Sequence, residues 1–452
     1  MTEMQKERSM ITDLTTGNVT RQLLLFAAPL FVSNALQAVY NIVDMVVVGQ
    51  VIGKSGMSAV STGGNILSIL NFVVIGFASA GQIIIARDVG QKNMDGVRHT
   101  NGTMFSVLLA MALVIAGICY RFRMPLLQLV NTPEEAFDYT MSYTVVCMTG
   151  LPFIYGYNIV SAIMRGMGDS KRPFLFVAIA SVINIVLDIL FVAGLGMEVF
   201  GAALATVIGQ GFSFLFALFY LYRNRERFGF DFRPASFVPD RDTMKKLVAL
   251  GVPMALQSAA ITISMTVVAA WVNSFGVIAS ALAGILNKLN TMSGILSHSI
   301  TTAAASMVGQ NLGAGKYDRV PKILRSAVIS ALLVSGIYIA VLLLFPDQIF
   351  GLFTQDQEVI TNAAVLLLPS VVGSLGAVSR CFGFGIINGS GNSGLNLLVA
   401  ILDGMISRIG AAYLLGFVLK MGVSGFWLGD ALAGYMPMVI GGVFYLSGRW
   451  RK

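Results

Sequence analysis

Twelve long apolar stretches constrain the fold of this chain more than any other feature of its sequence. A helix needs about 20 mostly apolar residues to cross the hydrocarbon core of a bilayer. The stretches lie at residues 22–50, 57–86, 100–120, 138–163, 173–195, 199–222, 246–273, 277–307, 323–345, 358–385, 395–418 and 422–447. Hydrophobic residues make up 56% of the chain and charged residues 12%, against roughly 45–50% and 25% in soluble proteins. The sequence therefore predicts an all-α polytopic membrane protein with twelve transmembrane helices.

The positive charges between these stretches predict the orientation of the chain. The segments on one side hold 23 of the 30 Lys and Arg residues; they are both termini, 87–98, 164–172, 223–246 and 316–325, so Lys246 and Arg325 at the starts of two stretches are counted with them. The loops on the other side hold 4, and the remaining 3 lie farther inside the stretches. Cytoplasmic loops are the ones that carry an excess of Lys and Arg. We therefore expect both termini in the cytoplasm and the protein in the inner membrane of a prokaryote. The same loops account for the net charge of +8 without a nucleic-acid partner.

Cysteine and histidine are too few to predict a metal centre or a disulfide framework. The chain has three cysteines and two histidines, and it has no CxxC pair. The stretch GMGDSK at 166–171 lacks the GxxxxGK[ST] pattern of a phosphate loop. We expect no cofactor, and any uphill transport must then draw on an ion gradient.

The two halves of the chain are similar in sequence. RQLLLFAAPLF around Pro29 matches KKLVALGVPMA around Pro253, and three further pairs follow in the same order at offsets of 219 to 224. They are RGMGDS (165–170) with NGSGNS (388–393), VFGAALAT (199–206) with VSGFWLGD (423–430), and VGQ (89–91) with VGQ (308–310). Because each half has six stretches, an even number, both halves start on the same side and the repeats are parallel. The predicted domains are an N-lobe at 1–222, a cytoplasmic linker at 223–245 and a C-lobe at 246–452.

Polar residues in the N-lobe stretches predict a cation site. Asp44, Asp188 and Thr206 each lie about seven residues from the outer end of a stretch, roughly 10 Å at a rise of about 1.5 Å per residue. Tyr40 precedes Asp44 by four residues, and Asn184 precedes Asp188 by four, so each pair shares a helix face. Two carboxylates in such a site require a proton or a cation between them. The alternative is a purely structural role, although the stretches of this half hold no basic partner.

The C-lobe stretches hold both acidic and basic residues. Asp403 and Arg408 are close enough in sequence to neutralise one another, and we favour a structural ion pair over a functional role. Arg380 is expected to reach towards the cytoplasmic end of its helix and to contact loops.

Four more polar residues are candidates to line a cavity: Gln37, Asn158, Lys288 and Asp430. Asp430 occupies the repeat position equivalent to Thr206, and an interaction with Lys288 is one option for it. For Lys288, cavity lining and structural pairing are equally compatible with the sequence.

The residues and motifs together resemble the multidrug and toxic compound extrusion (MATE) family, in particular its DinF-like branch or related bacterial members. The resemblance rests on DLTTGNVTRQLLLFAAPLF, NIVDMVVVG, RGMGDSKRP and NGSGNSG, and it covers essentially the whole chain. It implies a V-shaped pair of lobes and the export of organic cations or other amphipathic compounds in exchange for H⁺ or Na⁺. Small molecules and the lipid bilayer are then the partners, and we expect a monomer.

The same resemblance assigns roles to single residues. Asp44, Asn184 and Asp188 match the acids and the amide of the branch, and Tyr40 and Thr206 match the accompanying polar positions. The proline at which the first span is proposed to bend matches Pro29, although a static kink is an equal alternative for a proline inside a helix. Another branch relies on a glutamate in span 7, and this sequence has no acid between residues 246 and 273.

Two other functions remain as alternatives. One is a lipid-linked oligosaccharide flippase of the same superfamily, which would need a cationic cavity, whereas the acids within the stretches outnumber the basic residues here. The other is an intramembrane enzyme, for which the sequence offers no HExxH or GxSxG motif.

Overall fold

The fold is known from a computed structural model that describes residues 13–130, 132–354 and 356–451. Every regular element in these ranges is helical. Residues 1–12 lie outside the described part of the chain. They belong to the polar N-terminal stretch that the charge pattern predicts to be cytoplasmic.

The helices of the first half are α1 (Val19–Ile52), α2 (Lys54–Gly90), α3 (Met94–Arg121), α4 (Arg123–Leu129), α5 (Phe137–Thr149), α6 (Leu151–Gly166), α7 (Lys171–Asp188) and α8 (Glu198–Arg223). Between α7 and α8 the helix continues for one wide π-helical turn, Ile189–Gly194. Asp188 is therefore the last residue of the regular part of α7.

The helices of the second half are α9 (Arg241–Asn273), α10 (Val277–Gly313), α11 (Val320–Leu344), α12 (Pro346–Gly351), α13 (Gln357–Asn362), α14 (Leu367–Gly389), α15 (Ser393–Ile401), α16 (Arg408–Tyr413), α17 (Gly422–Ala433) and α18 (Met436–Leu446). Two π-helical segments, Leu402–Ser407 and Leu414–Val418, flank α16. Short 3₁₀ turns lie at Glu134–Ala136, Pro234–Phe237, Tyr317–Arg319, Ala363–Leu366 and Arg449–Arg451.

The prediction of a polytopic, twelve-span helical protein is confirmed. Within the described residues, ten helices are long and apolar enough to cross a membrane, and the bent pair Glu134–Thr149 and Leu151–Gly166 makes up to eleven. The predicted stretch 277–307 coincides with the single 37-residue helix α10. The even number of spans per half is what allows two parallel repeats.

The repeated turns have the same local geometry. Gly168 in RGMGDS has φ +85° and Gly391 in NGSGNS has φ +68°, a left-handed conformation that glycine adopts without steric cost. In the first turn, Asp169 accepts from the backbone N–H groups of Lys171 and Arg172 at 3.2 and 3.3 Å. This side chain satisfies two of the backbone donors that the start of α7 leaves free.

The chain packs into two compact units. The first unit contains residues 29–251, and the second contains 14–28 and 252–452. Helix α1 therefore belongs to both units, with the division at Pro29, and α9 is divided just before Pro253. The sequence predicts domain boundaries at 222/223 and 245/246, whereas the division in α9 falls later, after residue 251. The linker and the start of α9 belong to the first unit.

The linker is held on α3 by hydrogen bonds and by aromatic packing. Asn101 donates to the carbonyl of Phe228 at 3.2 Å, and the backbone N–H of Asp240 donates to the Thr103 hydroxyl at 3.1 Å. The rings of Phe105, Phe230, Phe232 and Phe237 lie 4.8 to 6.5 Å apart in pairs. These contacts make the linker a packed part of the first unit.

Candidate functional site: a buried acid pair in the first unit

Two buried carboxyl groups form the centre of the candidate site. Asp44 on α1 is 2% exposed and Asp188 at the end of α7 is 0% exposed. The two carboxyl groups are close enough to interact with each other, although neither oxygen of Asp188 has a hydrogen-bond partner in the described part of the chain. The Thr206 hydroxyl, on α8, donates to Asp44 Oδ2 at 3.4 Å. Three helices thus meet at this point, as their shared depth in the sequence predicts.

A second contact lies one helical turn away. Gln210 Nε2 donates to the Tyr40 hydroxyl at 3.4 Å. Gln210 follows Thr206 by four residues and Tyr40 precedes Asp44 by four, so both contacts join the same faces of α1 and α8. Sequence reasoning predicted Tyr40 here and missed Gln210, because an uncharged amide in an apolar helix gives no distinct signal.

Close packing of α7 on α8 places Asn184 beside this site. A Cβ atom at Gly209 of α8 would lie 3.2 Å from Asn184 Cβ and 3.3 Å from the Ala180 carbonyl. Only a residue without a side chain lets the helices approach so closely. Asn184 is 3% exposed, and neither its Nδ2 nor its Oδ1 has a hydrogen-bond partner among the described residues.

Helix α5 adds side chains that the sequence analysis did not select. Tyr143 and Cys147 are buried within electrostatic reach of Asp44. Thr144 is 0% exposed, and its hydroxyl also has no partner in the described ranges. A depth argument could have found Tyr143 only after this part of α5 was known to lie near Asp44.

The other predicted residues have varied environments. Gln37 lines a small cavity next to Asn184. Asn158 donates to the carbonyl of Ile154 in its own helix at 2.9 Å. Pro29 lies inside α1, and Lys288 on α10 is exposed.

The second unit contains a buried network of ion pairs instead of free acids. Asp403 lies 2.9 Å from Arg380 and 3.2 Å from Arg408, and Arg408 also pairs with Asp430. The ion pair predicted between Asp403 and Arg408 is therefore present. The expectation that Arg380 contacts loops is wrong, because its guanidinium bonds to the Asp403 carboxylate at the middle of a span. Asp430 pairs with Arg408, and the alternative pairing with Lys288 is not formed.

The two sites differ in what they can do chemically. In the second unit Asp403 and Asp430 each have a guanidinium partner. In the first unit Asp44 Oδ1 and both oxygens of Asp188 lack a partner among the described residues. A buried carboxylate pair of this kind is costly unless a proton or a cation is shared. The oxygens of Asp44, Asp188, Asn184 and Thr206 are also the type of ligand that hard cations prefer.

The chain forms a bundle of membrane-spanning helices in two repeated halves, and one unit contains a buried pair of acids without basic partners among the described residues. This combination defines a membrane transporter. The MatE family model matches the chain twice, at residues 29–190 and 253–414. The two matches begin and end 224 residues apart, which is the offset of the repeat read from the sequence. The chain therefore belongs to the MATE family of multidrug transporters, and this membership excludes the enzyme alternative.

Individual relatives agree with this assignment. The chain is 27% identical to the probable multidrug resistance protein YoeA of Bacillus subtilis over 96% of this chain and 95% of the relative. It is 31% identical to the probable multidrug resistance protein YpnP of the same organism over 68% of each chain. A crystal structure described as MATE in the bent conformation matches with a TM-score of 0.88 at 22% identity, over 98% of this chain and 97% of that one. At this identity the structural match establishes the fold.

Proposed function

We propose that this protein is a secondary antiporter that exports organic cations or other amphipathic, drug-like compounds in exchange for H⁺ or Na⁺ by alternating access. The observation that carries the proposal is the pair of buried acids, Asp44 and Asp188; in the described ranges, Asp44 Oδ1 and both oxygens of Asp188 lack hydrogen-bond partners. A site of this kind binds a proton or a small cation. The names of YoeA and YpnP, both probable multidrug resistance proteins, support drug-like compounds as the exported class.

The ion acts by changing the charge of the acid pair. When the site takes up a proton or a cation, the repulsion between Asp44 and Asp188 is removed, and α1 can pack differently against α7. Because α1 is divided between the two units at Pro29, the proline is the point at which we propose that the helix bends. An ion that favours one of two arrangements in this way shifts their populations.

Drug export is favoured over lipid-linked oligosaccharide flipping by the charges of the second unit. A flippase needs free cationic groups to bind a pyrophosphate-linked substrate. Arg380 and Arg408 are instead paired with Asp403 and Asp430. The remaining aspects of the proposal are a monomer in the inner membrane of a prokaryote with both termini in the cytoplasm.

Replacing each acid by its amide tests this function. Asp44→Asn and Asp188→Asn keep the shape of the side chain and remove its charge, so we expect each to abolish gradient-driven efflux of a cationic dye from proteoliposomes. H⁺ and Na⁺ gradients are imposed separately to identify the ion. Asp242→Asn is the matched control, because this carboxylate is exposed on α9. Normal efflux by both acid variants would show that the pair is structural.

A further inference from the structure

The segment at residues 14–17, which we call the strap, precedes α1 and belongs to the second unit. Leu14 is 0% exposed, and its backbone N–H donates to Gln310 Oε1 at 3.2 Å. The backbone carbonyl groups of all four strap residues accept hydrogen bonds from side chains of the same unit. We call the side chains that bind the strap the cradle: they are Gln310, Asn311, Lys316 and Arg319. The strap is thus held along its whole length.

Two basic residues of the cradle supply most of these hydrogen bonds. Lys316 Nζ donates to the carbonyl oxygen and to the hydroxyl oxygen of Thr15, both at 2.9 Å. The Arg319 guanidinium donates to the Gly17 carbonyl at 3.0 Å and to the Thr16 carbonyl at 3.4 Å. Hydrogen bonds from charged donors are stronger than those between neutral groups. Lys316 and Arg319 therefore contribute most to holding the strap.

The contacts of the strap continue into α1. Asn311, at the end of α10, is 0% exposed; it donates to the Leu14 carbonyl at 3.0 Å and accepts from Arg319 Nε at 3.1 Å. One turn farther along the chain, the hydroxyl groups of Thr20 on α1 and Ser326 on α11 lie 2.8 Å apart. The start of α1 is therefore fixed to α10 and α11 within the second unit.

The turn that carries the two basic residues forms without them in the first unit. Helices α2 and α10 both have 37 residues, and they begin and end 223 residues apart. At this offset Lys316 and Arg319 correspond to Asn93 and Gly96, which carry no charge. The backbone N–H of Lys316 donates to the carbonyl five residues earlier at 2.8 Å, and that of Asn93 does the same at 2.9 Å. The basic side chains are therefore not required to shape the turn.

We propose that the strap and its cradle anchor the start of α1 on the second unit throughout the transport cycle, with Lys316 and Arg319 as the positioning residues. The proposal rests on the proposed function, in which α1 changes its packing against α7 when the acid pair binds an ion. Because residues 14–28 belong to the second unit and Asp44 to the first, a displacement of Asp44 must be taken up within α1. Without the anchor, the start of α1 follows the displacement, and ion binding no longer bends the helix.

Removing both charged donors tests the anchor with two readouts. Efflux of ethidium from proteoliposomes measures transport, and tryptic cleavage after the exposed Arg21 in detergent measures how often the start of α1 is released. In Lys316→Met/Arg319→Met we expect cleavage to rise and efflux to fall by about tenfold or more, the factor for one lost hydrogen bond from a charged donor. Ethidium binding in detergent should not change. Lys322→Met is the matched control, because this exposed lysine pairs only with the exposed Asp318.

A disulfide between α1 and α11 distinguishes anchoring from other effects of the two residues. Because the hydroxyl groups of Thr20 and Ser326 are 2.8 Å apart, Thr20→Cys/Ser326→Cys places two thiols within reach of a bond, and the native cysteines are buried. Oxidation should leave efflux by the otherwise unmodified protein unchanged. In the Lys316→Met/Arg319→Met background it should restore efflux, and reduction should abolish the restored efflux.

Three results would overturn the proposal. The first is loss of efflux when the disulfide forms in the otherwise unmodified protein, because the start of α1 would then have to leave the second unit during transport. The others are cleavage and efflux in Lys316→Met/Arg319→Met equal to those of Lys322→Met, and a disulfide that restores no efflux. If the double variant does not fold, the two single methionine variants decide. Normal efflux in these variants, with efflux abolished in Asp44→Asn, would refute the anchor alone and leave the proposed function intact.

Discussion

Removing Arg408 should destabilise the second unit strongly. Its guanidinium lies 3.2 Å from Asp403 and also pairs with Asp430, and the side chains of all three are at most 8% exposed. In Arg408→Met, Asp403 keeps its contact with Arg380 at 2.9 Å, but Asp430 loses its ion-pair partner. Removing one partner of a buried ion pair costs about 3–5 kcal/mol, which is a large part of the roughly 5–15 kcal/mol by which folded proteins are stable.

The double variant Arg408→Met/Asp430→Leu provides the decisive comparison. Replacing both members of a buried pair by apolar residues is often neutral or stabilising, so this protein should recover most of the lost stability. Thermal unfolding in detergent measures all variants, and Lys288→Met is the control, because the same loss of charge at this exposed site should change stability by less than about 0.5 kcal/mol. The reasoning fails if Arg408→Met is no less stable than Lys288→Met, or if the double variant is no more stable than the single one.

Two further predictions concern the hinge and the orientation. Pro29→Ala restores a backbone donor inside α1 and should slow dye efflux from proteoliposomes more than it weakens dye binding; equal effects on both would mean that the proline is only a static kink. Ala235 in the linker is exposed, and the native cysteines are buried, so the new thiol in Ala235→Cys should react with membrane-impermeant reagents only from the cytoplasmic face. Labelling of intact cells from outside would contradict the orientation derived from the loop charges.

The spans, the repeat and the centre of the acid site could be predicted because each depends on position along a helix. The two matches of the MatE family model begin at Pro29 and Pro253, the same pair that reveals the repeat in the sequence. Likewise, the distance of Asp44 and Thr206 from the ends of their spans gives their depth, and residues at equal depth in neighbouring helices can meet. The contact between these two side chains follows from that argument once α1 and α8 are packed together.

The partners of the C-lobe charges could not be predicted because they depend on how helices are rotated about their axes. Position along a span gives no direction for the side chain, so Arg380 could not be assigned to Asp403 in advance. The π-helical turn Leu402–Ser407 adds to this difficulty, because an inserted residue changes the direction of every side chain that follows it. This turn accounts for the change of repeat offset from 223, at 165–170, to 224, at 199–206.

Serine and glutamine were missed for a different reason. A serine in a membrane helix often bonds to its own backbone, as the hydroxyl of Ser33 does to the Pro29 carbonyl at 2.9 Å. The hydroxyl groups of Ser181 and Ser213 are buried and have no hydrogen-bond partner among the described residues. Whether a serine bonds to its own backbone depends on its rotamer and its neighbours. The sequence contains the hydroxyl groups but not the information about which of them remain without a partner.

The repeat supports our proposal that ion coupling takes place in the first unit. At the offset of 224, Asp44 and Asp188 correspond to Val268 and Ala412, both 0% exposed and both part of one hydrophobic core cluster. Asn184 and Thr206 correspond to Arg408 and Asp430, which form an ion pair. The unpaired acids of the first unit are thus replaced in the second by packed apolar side chains, and the neighbouring polar positions by charges that neutralise each other. Asp403 and Asp430 thus have their counter-charges in the second unit, whereas no basic side chain pairs with Asp44 or Asp188 among the described residues of the first. Under the proposed antiport, the ion would therefore act on the first unit, by binding one of its two arrangements more tightly than the other.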